Sequence, residues 1–188
     1  MHLPFSSLLR LGILAKRLDR SDDAAIATLC RQCSAFFTLV AGDATADERA
    51  RVLLESRPPT VALAHKHLIG LERDGALVAI VDLLEDYPEP REWYVGLLLV
   101  IPDERARGVG TAVWSALEGW IRAEGGLHVR LIVQEQNPPG ALFWRAVGFT
   151  ASGTVTQHLP SQTNLCWRFE RRLGDPAPQE SNSSGHSR

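Results

Sequence analysis

The sequence predicts an α/β (α+β) fold, with one central sheet of about seven strands flanked by about four helices. The first supporting observation is the stretch 93–124. It opens as an apolar run of strand length and passes through a polar turn containing Gly108 and Gly110. It then places Val113, Leu117, Trp120 and Ile121 at i, i+4, i+7 and i+8, one face of a helix. The second is Asp74-Gly75 between two apolar runs, the dipeptide that closes a tight β-hairpin. The third is the alternation of such runs along the rest of the chain, in the order β-α-α-β-β-β-α-β-α-β-β.

Taken in order, residues 11–17 predict a first strand. Arg20-Ser21-Asp22-Asp23 starts a helix, with Ser21 as N-cap and acids in its first turn, running to about Phe36 and burying Ile26, Leu29 and Cys33. Gly42-Asp43 breaks the pattern, and 45–55 reads as a second helix with Val52 and Leu53 inward, ended by Arg57-Pro58-Pro59. Residues 67–73 and 76–84 are the hairpin strands, and 85–91 is a loop. After the central unit, stopped by Gly125-Gly126, Val129, Leu131 and Val133 alternate as a strand. Asn137-Pro138-Pro139 opens a further helix and Gly148 ends it. Residues 149–158 and 164–172 are two final strands joined through Leu159-Pro160-Ser161. Residues 1–10 are set apart as an N-terminal extension and 11–173 as one domain, while 174–188, rich in Pro, Gln, Ser and Asn, are expected to be disordered.

At 188 residues, 45% hydrophobic and 22% charged, the chain has the composition of a soluble globular domain with a single core. A net charge of −2 gives no general attraction to nucleic acid or anionic membranes. No run approaches the roughly 18–20 apolar residues that span a bilayer. Arg10 interrupts the mildly apolar start, so no secretory signal is expected. Three cysteines, an odd count, argue for a reduced, cytoplasmic setting. Cys30-Arg31-Gln32-Cys33 falls within an apparent helix and reads as two small core residues, so no metal is expected.

A strand feeding a glycine-bearing turn that opens a helix is suited to an anion, because the first N–H groups of the helix are unpaired and its dipole adds to them. The Walker pattern fails, since Gly110 is followed by Thr111 with no lysine. The dinucleotide fingerprint fails at Val113 and at Arg130, where a glycine and an acid are needed. The six residues Arg105-Ala106-Arg107-Gly108-Val109-Gly110, led in by Val100-Ile101-Pro102-Asp103, instead resemble the Arg/Gln-x-x-Gly-x-Gly/Ala signature of the GCN5-related N-acetyltransferase (GNAT) family. Asn137, Ala141 and Gly148-Phe149 match a second family segment, and the resemblance covers residues 11–172.

The resemblance implies a mixed sheet with a splayed central strand pair and acetyl-CoA as donor substrate. The pyrophosphate would lie on Arg105, Ala106, Arg107, Gly108, Val109, Gly110 and Thr111, with Arg105 and Arg107 adding charge. The pantetheine arm would pair with the backbone of Leu98, Leu99 and Val100, beside Asn137, Phe143 and Trp144. Many family members have a tyrosine where this chain has Trp144. Indole donates a hydrogen bond but is no acid, so thiolate protonation is not carried over.

Acetyl transfer to an amine needs a neutral amine and a donor for the oxyanion. Asp82 and Glu85, at the end of the strand paired with the central one, are the first candidates for the base. Glu92 and Tyr94 follow, and His128 and His158 read as solvated or structural. Five acids (Asp82, Glu85, Asp86, Glu89 and Glu92) beside an acceptor groove would favour a cationic acceptor. Phe36 and Phe37 either line that groove or pack in the core. The expected function is N-acetylation of a primary amine, small-molecule or peptide, by direct attack. The alternatives are a non-catalytic acyl-CoA-binding or partner-binding module and, more remotely, a dinucleotide-dependent oxidoreductase. The sequence is compatible with a homodimer.

Overall fold

The computed structural model describes residues 5–42, 44–159 and 162–174. Seven strands form one sheet in the order β1-β2-β3-β4-β5-β7-β6: β1 Leu14–Arg17, β2 Lys66–Arg73, β3 Ala76–Glu85, β4 Glu92–Val100, β5 His128–Gln134, β6 Thr150–His158 and β7 Thr163–Arg172. Every neighbouring pair is antiparallel except β4–β5, which is parallel. The helices are α1 Asp23–Gln32, α2 Ser34–Ala41, α3 Ala46–Glu55, α4 Val109–Ala123 and α5 Pro138–Ala146. Among the described residues no single helix is long and apolar enough to cross a membrane.

Each face of the sheet has its own core. On one face Val113, Trp114, Leu117 and Ile121 of α4, with Trp144 of α5, pack on Val81, Leu83, Trp93, Val95, Val129 and Leu131. On the other, Ile26 and Leu29 of α1, Phe37 of α2 and Leu53 of α3 pack on Leu68, Leu77, Ile80 and Leu99. β3 feeds both, as a strand buried on two sides must.

Four local expectations change. The helix expected from 21 to 36 is two helices bent by 82° at Cys33, whose thiol is buried against the end of β4. Its entry is set by Asp19 and Asp22, which accept from the N–H groups of Ser21 and Asp19, so Ser21 is not the cap. Val52 points outward at 59% exposure, and Ala50 with Arg49 takes the inward face of α3, which Thr45 and Glu48 cap reciprocally. The segment set apart as an extension contributes to the core. Ser6–Leu11 is a 3-10 helix that delays β1 to Leu14, and Phe5 and Leu8 are buried, with Phe5 edge-on to Trp120 at 5.8 Å. The expected turn at Pro160-Ser161 and the expected tail beyond Gly174 lie outside the described residues.

The central parallel pair is only briefly a pair. Glu92, Trp93 and Tyr94 align with His128, Val129 and Arg130, and the register stops there. β4 continues along β3 as far as Val100 opposite Ala79, while β5 continues along β7 as far as Gln134 opposite Cys166. The two strands therefore part into a V open at their C-terminal ends. Gly96 sits where the β3–β4 register slips: Leu83 faces Val95 and Asp82 faces Leu97, so Gly96 is the extra residue of a bulge, which bends the strand that carries it.

The closed end of the V is packed tightly. A Cβ added at Gly126, in the α4–β5 turn, would stand 2.5 Å from Ile121 and 2.6 Å from the Trp93 indole. Gly126→Ala should therefore lower unfolding free energy by about 1–3 kcal/mol, the usual cost of overpacking a rigid site, measured by urea denaturation.

Candidate active site at the open end of the sheet

The turn that carries β4 into α4 is shaped for an anion. Ala106 and Gly108 both have left-handed backbone, φ 56° and 78°, which curls the chain just before the helix. Gly108 has open space around it, so glycine is required there by conformation and not by crowding. The helix starts at Val109 and its first intrahelical donor is Ala112, bonded to Gly108. The N–H groups of Val109, Gly110 and Thr111 therefore form the open positive end of a fifteen-residue helix. Gly110 has a different reason: a Cβ there would lie 3.2 Å from the Phe143 ring, so the absent side chain lets α5 approach the first turn of α4.

The two arginines of this turn diverge. Arg107 is exposed beside the turn. Arg105 is turned back, its Nε donating to the carbonyl of Val100 at 2.9 Å and its guanidinium 4.0 Å from Cys33 Sγ. It ties down the end of β4 while remaining exposed. Glu104 holds the turn from below through an ion pair with Arg73.

Leu98, Leu99 and Val100 are half-buried or buried, so their side chains belong to the two cores. Past Tyr94, the β5-facing backbone edge of β4 has no strand partner. Asn137 caps α5, its carboxamide oxygen accepting from Gly140 at 3.2 Å. Trp144 does not reach the mouth. It is 7% exposed and packs edge-to-face with Trp114 (5.6 Å), Phe149 (5.0 Å) and Phe143 (5.0 Å). Phe143, one residue earlier, is the ring next to the turn.

Of the four candidate bases, the structure places Asp82 beside the Gly96 bulge, where β4 has left β5, and Tyr94 at the last paired position before it. Asp82 faces the bulge from β3, its carboxylate 3.4 Å from where a Gly96 Cβ would be. Lys66, absent from the sequence-derived candidates, donates to it at 2.7 Å, with the two side chains only 3% and 16% exposed. Burial pushes the Asp82 carboxyl above the usual range despite Lys66, which opposes the shift. Tyr94 lies on the same face, edge-on to Tyr87 at 5.7 Å, and burial raises its phenol to about 12, so it stays a neutral donor.

Glu85 and Glu92 are elsewhere. Glu85 accepts from His67 Nε2 (2.9 Å), whose Nδ1 accepts from Arg17 (2.8 Å); burial lowers the His67 pKa, which suits that neutral arrangement. Glu92 sits at the closed end, bonded to Arg130 (2.8 Å) and His128 (3.1 Å). Asp86 accepts from the Arg91 N–H at 2.7 Å, which leaves Glu89 as an exposed acid of that loop. Of the five neighbouring carboxylates, Asp82 and Glu92 bond cationic side chains, Glu85 bonds the neutral His67, and Asp86 and Glu89 stand exposed on the loop. Phe37 is a core residue under the Arg49 guanidinium, and Phe36 is half-buried beside it. His158 bonds Thr163 at the far hairpin.

Gly96 was legible as a lone glycine in an apolar strand, a pattern that marks bulges. Lys66, one of only two lysines, gave no signal of its own. Lys66→Met should leave Asp82 buried without its partner, lowering stability by about 3–5 kcal/mol at neutral pH. The deficit should shrink as the pH falls and Asp82 protonates, which denaturation across a pH series will read.

A family model described as "Acetyltransferase (GNAT) family" matches residues 34–149. No curated protein sequence matches the chain. Its structure is similar to an acetyltransferase from Thermus thermophilus, with TM-score 0.70 and 19% identity over 92% of this chain and 99% of that one. A ribosomal-protein alanine N-acetyltransferase from Escherichia coli gives 0.64 and 13% over 88% and 97%. A chimeric spermidine N-acetyltransferase from Vibrio cholerae gives 0.63 and 14% over 86% and 96%.

Proposed function

The chain belongs to the GNAT acetyltransferase family, and from that premise we propose that it moves the acetyl group of acetyl-CoA to a primary amine by direct attack. The observation that carries this reading is the parting of β4 from β5 next to the glycine-bearing turn. A pyrophosphate on the N–H groups of Val109, Gly110 and Thr111, with Arg107 beside it, directs the pantetheine arm into the V. There the β5-facing backbone edge of the Leu98–Val100 stretch, apart from the Val100 carbonyl that Arg105 already bonds, offers it an additional strand partner. Asn137 holds α5, and with it Phe143, against the same turn.

The acetyl carbon then lies near the Gly96 bulge. Its carbonyl oxygen takes a hydrogen bond from β4 backbone N–H, the donor that stabilises the tetrahedral oxyanion. Asp82 removes the amine proton as nitrogen attacks, its raised pKa bringing it closer to the range a general base needs. The C–S bond breaks and CoA leaves as thiolate, a tolerable leaving group that takes its proton from solvent, since Trp144 offers no acid. Tyr94 remains protonated and donates on the acceptor side. Glu85 and Glu92 have no place in this chemistry. Asp82 and Glu92 are paired with cationic side chains, and both small amines and peptide amines fit the reading. Three buried thiols suit a cytoplasmic setting.

Calorimetric titration with acetyl-CoA, followed by a thiol-release assay with added amines, tests the proposal. The wild type should bind, and Arg107→Glu should weaken binding by about tenfold, the order of one lost ionic contact. Binding without thiol release from any amine would leave a non-catalytic acyl-CoA-binding module. No binding by folded protein would end the acetyl-CoA reading.

The base assignment has its own signature. Because Asp82 acts deprotonated, kcat/KM should fall as pH drops through its pKa, above the ordinary aspartate value of about 3.9. Asp82→Asn should reduce kcat by about 10²–10⁴ and abolish that acid limb. An unchanged limb in the variant would transfer the role to another group.

A further inference from the structure

α2 is a strap across the open end of the V. It leaves α1 at 82° and covers eight residues, about 12 Å at 1.5 Å per residue. Both of its ends are tied, each to a different arm of the sheet. At the start, Cys33 Sγ lies 3.9 Å from the Val100 carbonyl, the last residue of β4, and the Arg105 guanidinium joins the same contact. At its end, Asn164 of β7 donates from Nδ2 to the Val40 carbonyl at 2.8 Å, and Gln136, just past β5, donates to the Leu39 carbonyl at 3.2 Å.

The second tie is built around one side chain. Asn164 is 3% exposed, and its amide is fully used. Nδ2 donates to Val40 and, at 3.5 Å, to Gln157 Oε1. Oδ1 accepts from Gln136 (2.7 Å) and Gln162 (2.9 Å). Two of the last carbonyls of α2, which no helical N–H can reach, are thereby satisfied from the β5–β7 arm. Directly beneath lies the buried Cys166, its Sγ 3.9 Å from Gln157 Oε1.

This tie is on the side an acceptor must use. α4, α5 and the anion turn occupy the opposite face. Asp82, between Val81 and Leu83 of that core, points to the other face, the one that α1, α2 and α3 cover, and the Gly96 bulge lies against it. A donor lying along α4 therefore leaves the acceptor an approach past α2.

We propose that Asn164 is a specificity-determining positioning residue: it clamps the last turn of α2 to the β6–β7 hairpin, holds the strap across the mouth, and so excludes acceptor amines too bulky to pass beside it. The inference rests on the acetyl-transfer reading for what passes the mouth, but the clamp itself can be measured without it.

Two variants test it. Asn164→Leu removes every bond of the amide. Asn164→Asp keeps the acceptor oxygens for Gln136 and Gln162 but loses the donor to Val40. The first readout is thiol labelling in native buffer, with mass spectrometry to identify the site. Cys166 should label at least about tenfold faster in either variant than in the wild type while Cys30 stays protected, the mark of local and not global opening. The second is the ratio of kcat/KM for a tripeptide with a free N-terminus to that for ethylamine. It should rise by about tenfold, equivalent to about 1.4 kcal/mol in relative barrier, with acetyl-CoA affinity unchanged.

Folded variants with wild-type Cys166 protection would overturn the clamp. Faster labelling with an unchanged selectivity ratio would overturn its role in specificity. A wild type that releases no thiol with any amine refutes acetyl transfer, and with it the specificity role, while the labelling result still decides the clamp.

Discussion

Two parallel strands that share three residues and then diverge leave a row of backbone N–H and C=O groups without sheet partners, and such groups are costly unless something else bonds them. That divergence is the constraint on which the rest of the molecule depends. The closed end must be rigid enough to hold the angle, and Trp93, Trp120 and Ile121 packed around Gly126 make it so. The open end must not collapse. β3 and β7 each hold one arm by antiparallel pairing, and the bulge at Gly96 directs the β4 arm away. The edge that results lies close to the unpaired N-terminus of α4.

The same arrangement explains why a charge sits where burial makes it expensive. Asp82 and Lys66 are removed from water together on the face of the sheet opposite the anion turn, and their mutual bond offsets part of that cost. Around them the other carboxylates have been paired off: Glu85 with His67, Glu92 with Arg130 and His128, and Asp86 with the Arg91 backbone. The group left facing the opening has its pKa raised by desolvation, which favours proton uptake.

Most of the architecture was legible because local rules agreed with one another. Asp74-Gly75 closed its hairpin, Asn137-Pro138 opened α5, and the 3.6-residue pattern of α4 faced the core. The misreadings share a cause, tertiary contact overriding local pattern. The helix through Cys33 breaks because its continuation must cross to Asn164, which lies 124 residues beyond Val40 in the chain. Val52 faces water because Arg49 packs over Phe37 instead. The site was partly legible. The glycine-bearing turn was read from a family signature and Asp82 from its strand-end position, but the Arg105 tie to Val100, the burial of Trp144 and the Lys66–Asp82 bond emerged only from the fold. Motif spacing specifies a backbone path, whereas side-chain direction depends on what packs alongside it.

The proposed acetyl transfer requires acetyl-CoA to insert along the β5-facing edge of β4. Backbone hydrogen exchange of residues 92–100, with and without acetyl-CoA, measures this directly. In the free protein the β5-facing amides past Tyr94 should exchange faster than those of Glu92, Trp93 and Tyr94 at the closed end. On adding acetyl-CoA the amides of 96–100, together with Val109, Gly110 and Thr111, should gain protection. Protection gained at the turn but not along β4, or along neither, would contradict the account.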